Sequence, residues 1–222
     1  MSILGIYRIL FVFMLILLNV ACSQAQDNNE WKLVKENNGI EAFVKDQKDS
    51  KIKIVKVEAR VESSLSLLIT IIKDADCHNQ WVFLNEHAEI VDSVSCSEWK
   101  YYGYSELPWP VSDRDFVTNV TMTQDSMDYS VKIVSYSIAD YLPEKEGYVR
   151  VPVIFSCWTL NPLGNGEVHL TFELSTDIGG KIPAWFVNLA VTKGPISTIE
   201  GLMEQVEKRR CFNKPIPGIK EF

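Results

Sequence analysis

The sequence predicts an α+β domain. A largely antiparallel sheet curves around one long C-terminal helix and leaves a hollow between them. Three observations carry this. From Trp31 onward the chain is a succession of strand-like runs separated by turn residues. The last run, 167–176, alternates cleanly: Val168, Leu170, Phe172 and Leu174 fall on one face, and His169, Thr171, Glu173 and Ser175 on the other. Residues 181–210 then carry Trp185, Leu189, Thr192, Ile196, Ile199, Met203 and Val206 at spacings of four and three, a single helical stripe.

The elements follow in order. Residues 27–30 are a polar lead-in. Trp31-Lys32-Leu33-Val34-Lys35 and residues 40–45 are two arms of a hairpin turning at Asn37-Asn38-Gly39. Residues 51–61 are a long strand. Ile52 and Ile54 lie on one phase and Val55, Val57, Ala59 and Val61 on the other, which predicts a bulge. Ser63 or Ser64 caps a helix whose Leu65, Leu68, Ile69 and Ile72 recur at i, i+3, i+4 and i+7, and Asp74-Ala75-Asp76 ends it. Strands follow over 89–95, 99–107, 114–123, 129–138, 149–160 and 167–176, the last two joined by the turn Asn161-Pro162-Leu163-Gly164-Asn165-Gly166. In the long helix Pro183 suits the first turn, Gly194-Pro195 predicts a kink, and Lys208-Arg209-Arg210 suits the C-terminal end. Six of the seven stripe residues are apolar, and burying each stabilises by about 1.5–3 kcal/mol, so this helix must lie on an apolar surface.

Residues 1–25 read as an export signal. Arg8 is the sole charge, residues 9–18 are an unbroken apolar run, and Ser23-Gln24-Ala25 offers small residues where a peptidase cuts. Two other readings stand beside cleavage after Ala25. Leu18-Asn19-Val20-Ala21 before Cys22 is a lipoprotein-like signal that would place a lipid on Cys22, and residues 3–21 are an uncleaved anchor against a span of about 20 residues. The expected location is periplasmic or secreted, with or without an anchor. The domain plan is then a signal over 1–25, a flexible lead-in over 26–30, one domain over 31–210 and a tail over 211–222, expected to be a monomer.

Removing the signal takes one positive charge from a chain of net charge −7, leaving −8. An acidic surface does not coat phosphate backbones, so nucleic acid is not an expected partner. Cys77, Cys96, Cys157 and Cys211 remain. An exported chain could pair Cys77 with Cys96, the two closest in sequence, or keep all four as buried thiols. His78, His87 and His169 lack metal-site spacing, and no nucleophile motif of the strand–turn–helix kind is present, so neither cofactor nor catalytic residue is assigned. Asn119-Val120-Thr121 fits a glycosylation sequon but falls inside a strand.

The most distinctive stretch is Leu107-Pro108-Trp109-Pro110-Val111-Ser112-Asp113-Arg114-Asp115-Phe116. Its prolines stiffen a loop that carries a large apolar ring, a suitable rim for an apolar pocket.

Four segments together resemble a START domain, the lipid-transfer domain related to the steroidogenic acute regulatory protein, over about residues 31–210. They are the Trp109-Pro110 loop into Asp113-Arg114-Asp115-Phe116, and Tyr141-Leu142-Pro143-Glu144-Lys145-Glu146-Gly147-Tyr148-Val149-Arg150. The third is the strand from Trp158 into its hairpin at Leu163, and the fourth is Asp177-Ile178-Gly179-Gly180-Lys181-Ile182-Pro183-Ala184-Trp185-Phe186-Val187-Asn188. The resemblance implies a helix-grip fold whose cavity holds one lipid or other apolar small molecule. The last helix and the Trp109 loop would form a lid that opens in transient contact with a membrane. Where sterol-binding members hold a carboxylate and an arginine, counting from Arg114, this chain has Tyr101 and Val120, a departure that speaks against cholesterol.

On this reading the cavity and lid candidates are Trp81, Tyr102, Tyr104, Trp109, Arg114, Phe116, Arg150, Phe155, Trp158, Phe172, Trp185 and Asn188. For Arg114 and Arg150 a structural ion pair stands against a headgroup contact, Arg114 having Asp113 and Asp115 beside it. The functional alternatives to a lipid carrier are a polyketide cyclase-like cavity enzyme of the same fold and an interaction domain without a ligand.

Overall fold

The computed structural model describes residues 30–47, 53–180, 182–212 and 214–221; the signal-like segment and Cys22 lie outside them. β1 (Lys32–Asn37), β2 (Ile40–Asp46) and β3 (Lys53–Glu62) form a meander. Asn38 and Gly39, with φ of 50° and 78°, make the tight turn that their sequence predicts. α1 (Leu65–Lys73) follows, its Ser64 side chain accepting the Leu67 N–H at 3.1 Å. A short 3-10 stretch (Ala75–Gln80) leads to β4 (His87–Ser95), β5 (Glu98–Ser105), β6 (Arg114–Gln124), β7 (Val131–Ser137), β8 (Val149–Arg150), β9 (Val153–Pro162) and β10 (Glu167–Asp177). α2 (Ala184–Thr192) and α3 (Gly194–Arg209) complete the domain.

Among the described residues the strands make one sheet in the order β1-β2-β3-β10-β9-β7-β6-β5-β4. Every pairing is antiparallel except that of β8, which lies parallel to the start of β6. The N-terminal meander joins the rest through β3 and β10, where Val61 lies opposite Val168. Ile196, Ile199, Leu202 and Val206 of α3 share one core with Val57 of β3, Ile133 of β7, Leu160 of β9 and Leu170 of β10. Strands from across the sheet reach one helix face only if the sheet bends round it.

Three expectations about the elements change. β3 pairs with both neighbours without a register shift over its described residues, so the bulge expected there is absent. Val55, Val57, Ala59 and Val61 all face inward and Ile54 takes the other face; Ile52 lies outside the described residues. The strand expected over 149–160 divides into β8 and β9 around Pro152, which has no N–H to give a ladder. The helix expected over 181–210 is two helices, because Gly194-Pro195 breaks it at Lys193. That break shifts the stripe: Phe186 is buried and Trp185 is 47% exposed, while Leu202 rather than Met203 reaches the core.

The described residues of the C-terminal tail, 214–221, fold back across the domain. Both carboxylate oxygens of Glu221 accept backbone N–H groups at the start of α1, Leu65 at 2.9 Å and Ser66 at 2.8 Å. Cys77, Cys96, Cys157 and Cys211 are free thiols, so the Cys77–Cys96 bridge is not made. Cys96 is exposed in the β4–β5 turn, with its carbonyl accepting from Lys73 Nζ at 2.8 Å, and Cys77 is half-buried on the 3-10 stretch.

Candidate functional site

Between α2, α3 and the strands lies a cavity of about 330 Å³. The period of two along each strand decides what faces it. β6 contributes Arg114, Phe116, Thr118 and Val120, and β9 contributes Ile154, Ser156 and Trp158. Phe172 and Leu174 come from β10, and Trp99, Tyr101 and Ser105 from β5. Phe186 and Ala190, one helical turn apart, roof it from α2. Trp158 stacks on Phe172 with centroids 4.2 Å apart, and Trp81 meets Trp158 edge-on at 6.2 Å. Trp81 reaches this place because its backbone lies against Gly201 of α3, where a Cβ would come within 2.7 Å of the Trp81 carbonyl oxygen.

One end of the cavity is polar and uncharged. His78 Nε2 donates to the Ile72 carbonyl at 3.0 Å, so Nδ1 carries no proton and accepts the Tyr101 hydroxyl at 2.7 Å. Burial pushes the His78 pKa from 6.5 down to about 4, against smaller opposing effects of its backbone bond and Asp74, and holds the ring neutral. Burial likewise raises the Tyr101 hydroxyl pKa.

Arg114 marks another wall of the cavity. It is buried, and its guanidinium donates to the carbonyls of Ser112, Ile178 (3.3 Å) and Gly179 (3.0 Å). The ion pair weighed for Arg114 is replaced by three backbone acceptors. Arg114 thus ties the Trp109 loop and the approach to α2 to the start of β6. Arg150 does form an ion pair: its Nε and Nη2 each lie 2.9 Å from an Asp115 oxygen, bidentate and buried. Its guanidinium also donates to the carbonyls of Ala139, Leu142 and Pro143.

Of the residues singled out from the sequence, Trp81, Arg114, Phe116, Trp158 and Phe172 line the cavity. Several do not. Tyr102 and Tyr104 take the opposite phase of β5: Tyr104 stacks on His87 at 5.3 Å, and Tyr102, near Asp115 and Arg150, has its pKa pushed up to about 12, by burial first. Phe155 is on the outer phase of β9, 42% exposed. Arg150 is spent on Asp115 and the carbonyls. Trp185 faces outward, with its ring 5.7 Å from that of Phe186. Trp109 is 90% exposed at a cis peptide bond to Pro110, while Leu107 of the same loop lines the cavity. The Asn188 side chain lies outside the described ones. Asn119 of the sequon is buried and donates to the Tyr136 hydroxyl at 3.0 Å. No group of three or more His, Cys, Asp and Glu among the described residues is placed to hold a metal ion.

The START domain family model matches residues 18–210, most of the chain. The chain belongs to the START family. This START domain is 30% identical over 182 residues to an uncharacterized protein of Pseudomonas aeruginosa, covering 81% of this chain and 88% of that one. It is 27% identical to a phosphatidylcholine transfer protein of Mus musculus, covering 78% and 84% of the two chains. Among solved structures it is similar to a STAR-related lipid transfer protein fragment from Xanthomonas axonopodis, with a TM-score of 0.74, 28% identity and coverage of 80% and 98%. The sheet wrapped around α3 is thus the helix-grip fold of START proteins.

The START cavity also contains residues that sequence reasoning missed: Trp99, Tyr101, Asn85, Thr118 and Phe186. A signal for Thr118 was available, since it shares the phase of Arg114 and Phe116. Asn85 sits in an irregular loop and had none.

Proposed function

We propose that this START domain holds one lipid or other apolar small molecule in the cavity beneath α2 and carries it between membranes. The cavity itself carries the reading: about 330 Å³, walled mainly by aromatic and aliphatic side chains, at the lower end of the roughly 300–1,000 Å³ typical of ligand pockets. The names of the mouse and Xanthomonas relatives support transfer rather than storage. α2 is the lid. It is bounded by the break at Lys193 on one side and on the other by Gly179 and Gly180, whose φ values of 65° and 70° suit glycine. Trp109, Trp185 and Val187 expose large apolar surface at the rim and form the membrane contact. Residues 1–25 deliver the chain out of the cytoplasm, and no nucleic acid takes part.

Native mass spectrometry of the exported chain tests the reading, together with transfer of a fluorescent lipid between two vesicle populations. One lipid per chain and protein-dependent transfer are expected. A chain that takes up no lipid from vesicles would overturn it. Intact mass decides whether the chain begins after Ala25, and a fatty-acid label on Cys22 would replace simple cleavage by a lipid anchor.

A further inference from the structure

Three buried side-chain atoms have no hydrogen-bond partner among the described residues: Trp81 Nε1, Asn85 Oδ1 and Thr118 Oγ1. All three residues line the cavity, and each is more than nine-tenths buried. Folded proteins leave few such atoms, because losing water without gaining a partner is costly. That all three open onto one cavity is the informative fact.

The three open onto the same cavity, and Tyr101 is the neighbour they share, its hydroxyl interacting with the Asn85 side chain. The His78 ring is 5.0 Å from Trp81 and 5.4 Å from Tyr101. Tyr101 of β5 lies opposite Thr118 of β6, so their side chains share the inner face as a directly facing pair. Asn85 Nδ2 donates to the His87 carbonyl at 3.3 Å, which orients the amide and leaves Oδ1 as its open acceptor. The wall therefore offers an N–H that only donates, a carbonyl that only accepts and a hydroxyl that does either. It offers no charge. His78 is neutral with both nitrogens engaged, and Tyr101 has spent its proton on His78. The charged group lining the cavity is Arg114, four residues away along the same face of β6, about 13 Å at the rise of a strand.

We propose that the wall formed by Trp81, Asn85 and Thr118 is a recognition site for an uncharged ligand group that both donates and accepts a hydrogen bond, and that the ligand is a compact lipid alcohol. This deepens the carrier reading and rests on it. A hydroxyl accepts from Trp81 Nε1–H and donates to Asn85 Oδ1, with Thr118 completing its shell. A carboxylate or phosphate would bring acceptors only and lose its hydration against an open carbonyl oxygen. The small cavity favours a compact ligand over a two-chain phospholipid.

Displacement of the neutral probe diphenylhexatriene from the exported chain by dodecanol, dodecane and dodecanoate is the test. Dodecanol is expected to compete at least about tenfold better than either of the others, the margin of one well-made buried hydrogen bond. Thr118→Val, which keeps shape and removes one polar atom, should shrink the alcohol preference severalfold and leave dodecane unchanged; Trp81→Phe, which removes the N–H together with part of the ring, should shrink the preference for dodecanol over dodecane likewise. Equal competition by dodecanol and dodecane, or a preference that survives both substitutions, overturns the site while leaving the carrier reading intact. Failure of every probe and lipid to bind overturns both. A crystal structure of the dodecanol complex in which ordered water, not the alcohol, bridges the three atoms also overturns it.

Discussion

The two sides of this domain are built to different standards. On the β2–β3–β10 side, α1 and the later part of α3 pack closely on the sheet. Leu68, Ile71, Ile199, Leu202 and Leu170 have no exposed surface, Arg209 ties the end of α3 to Asp74 at the end of α1, and Glu221 closes the start of α1. On the β5–β6–β9 side, beneath α2, three buried polar atoms have no partner among the described residues, a hollow remains and aromatic rings face outward. The difference teaches where stability resides. The packed side supplies it, and the hollow side draws on it to keep space open.

The sharpest way to break this contrast is in the packed side. Leu202→Ala should cost about 2–5 kcal/mol in urea denaturation, because the dense surroundings cannot collapse into the space. A loss under about 1 kcal/mol would show that this side, too, is loosely packed. His78, at the seam, is next. Its folded pKa of about 4 lies below the ordinary 6.5, so the unfolded chain takes up the proton first as pH falls. The stability is therefore present above pH 6.5 and drains away as pH drops towards 4, on the order of 3 kcal/mol in full. Wild type should lose more stability than His78→Gln between pH 7 and pH 4.5, and equal losses would remove His78 from the account. Glu221→Ala should cost about 0.5–2 kcal/mol, the range of a lost helix cap, and speed hydrogen exchange at Leu65 and Ser66. Unchanged exchange there would mean that the tail does not hold α1. Trp109→Ala should move stability by no more than about 0.5 kcal/mol, since the ring is almost wholly exposed, yet slow lipid transfer from vesicles severalfold. Normal transfer would place the membrane contact elsewhere on the rim.

The packed side was largely legible in the sequence, and the hollow side only in part. Alternation in β10, the Ser64 cap and the Ile196–Ile199–Val206 spacing are local patterns with one physical meaning. β5 has no such pattern: Trp99, Tyr101, Tyr102 and Tyr104 put aromatic rings on both phases, so the choice of Tyr102 and Tyr104 was off by one residue. The resolving clue lies across the strand pair. Gly103 faces Phe116, and a Cβ there would come within 2.7 Å of the Phe116 ring, so Gly103 shares the inner face with Phe116 and Tyr101 shares it too. Trp185 faces outward rather than along the buried stripe for another reason, since a stripe counted back through Gly194-Pro195 assumes a continuous helix. The Trp81–Asn85–Thr118 wall joins a loop to a strand, and no spacing in the sequence announces it.

The pairing of β3 with β10 has a further consequence, for the order of assembly. Val61 cannot meet Val168 until nearly the whole domain has been made, and until then β3 has an open edge. Closing so long a loop carries a large entropic cost before any contact rewards it, so formation of this seam should be the slow step of folding.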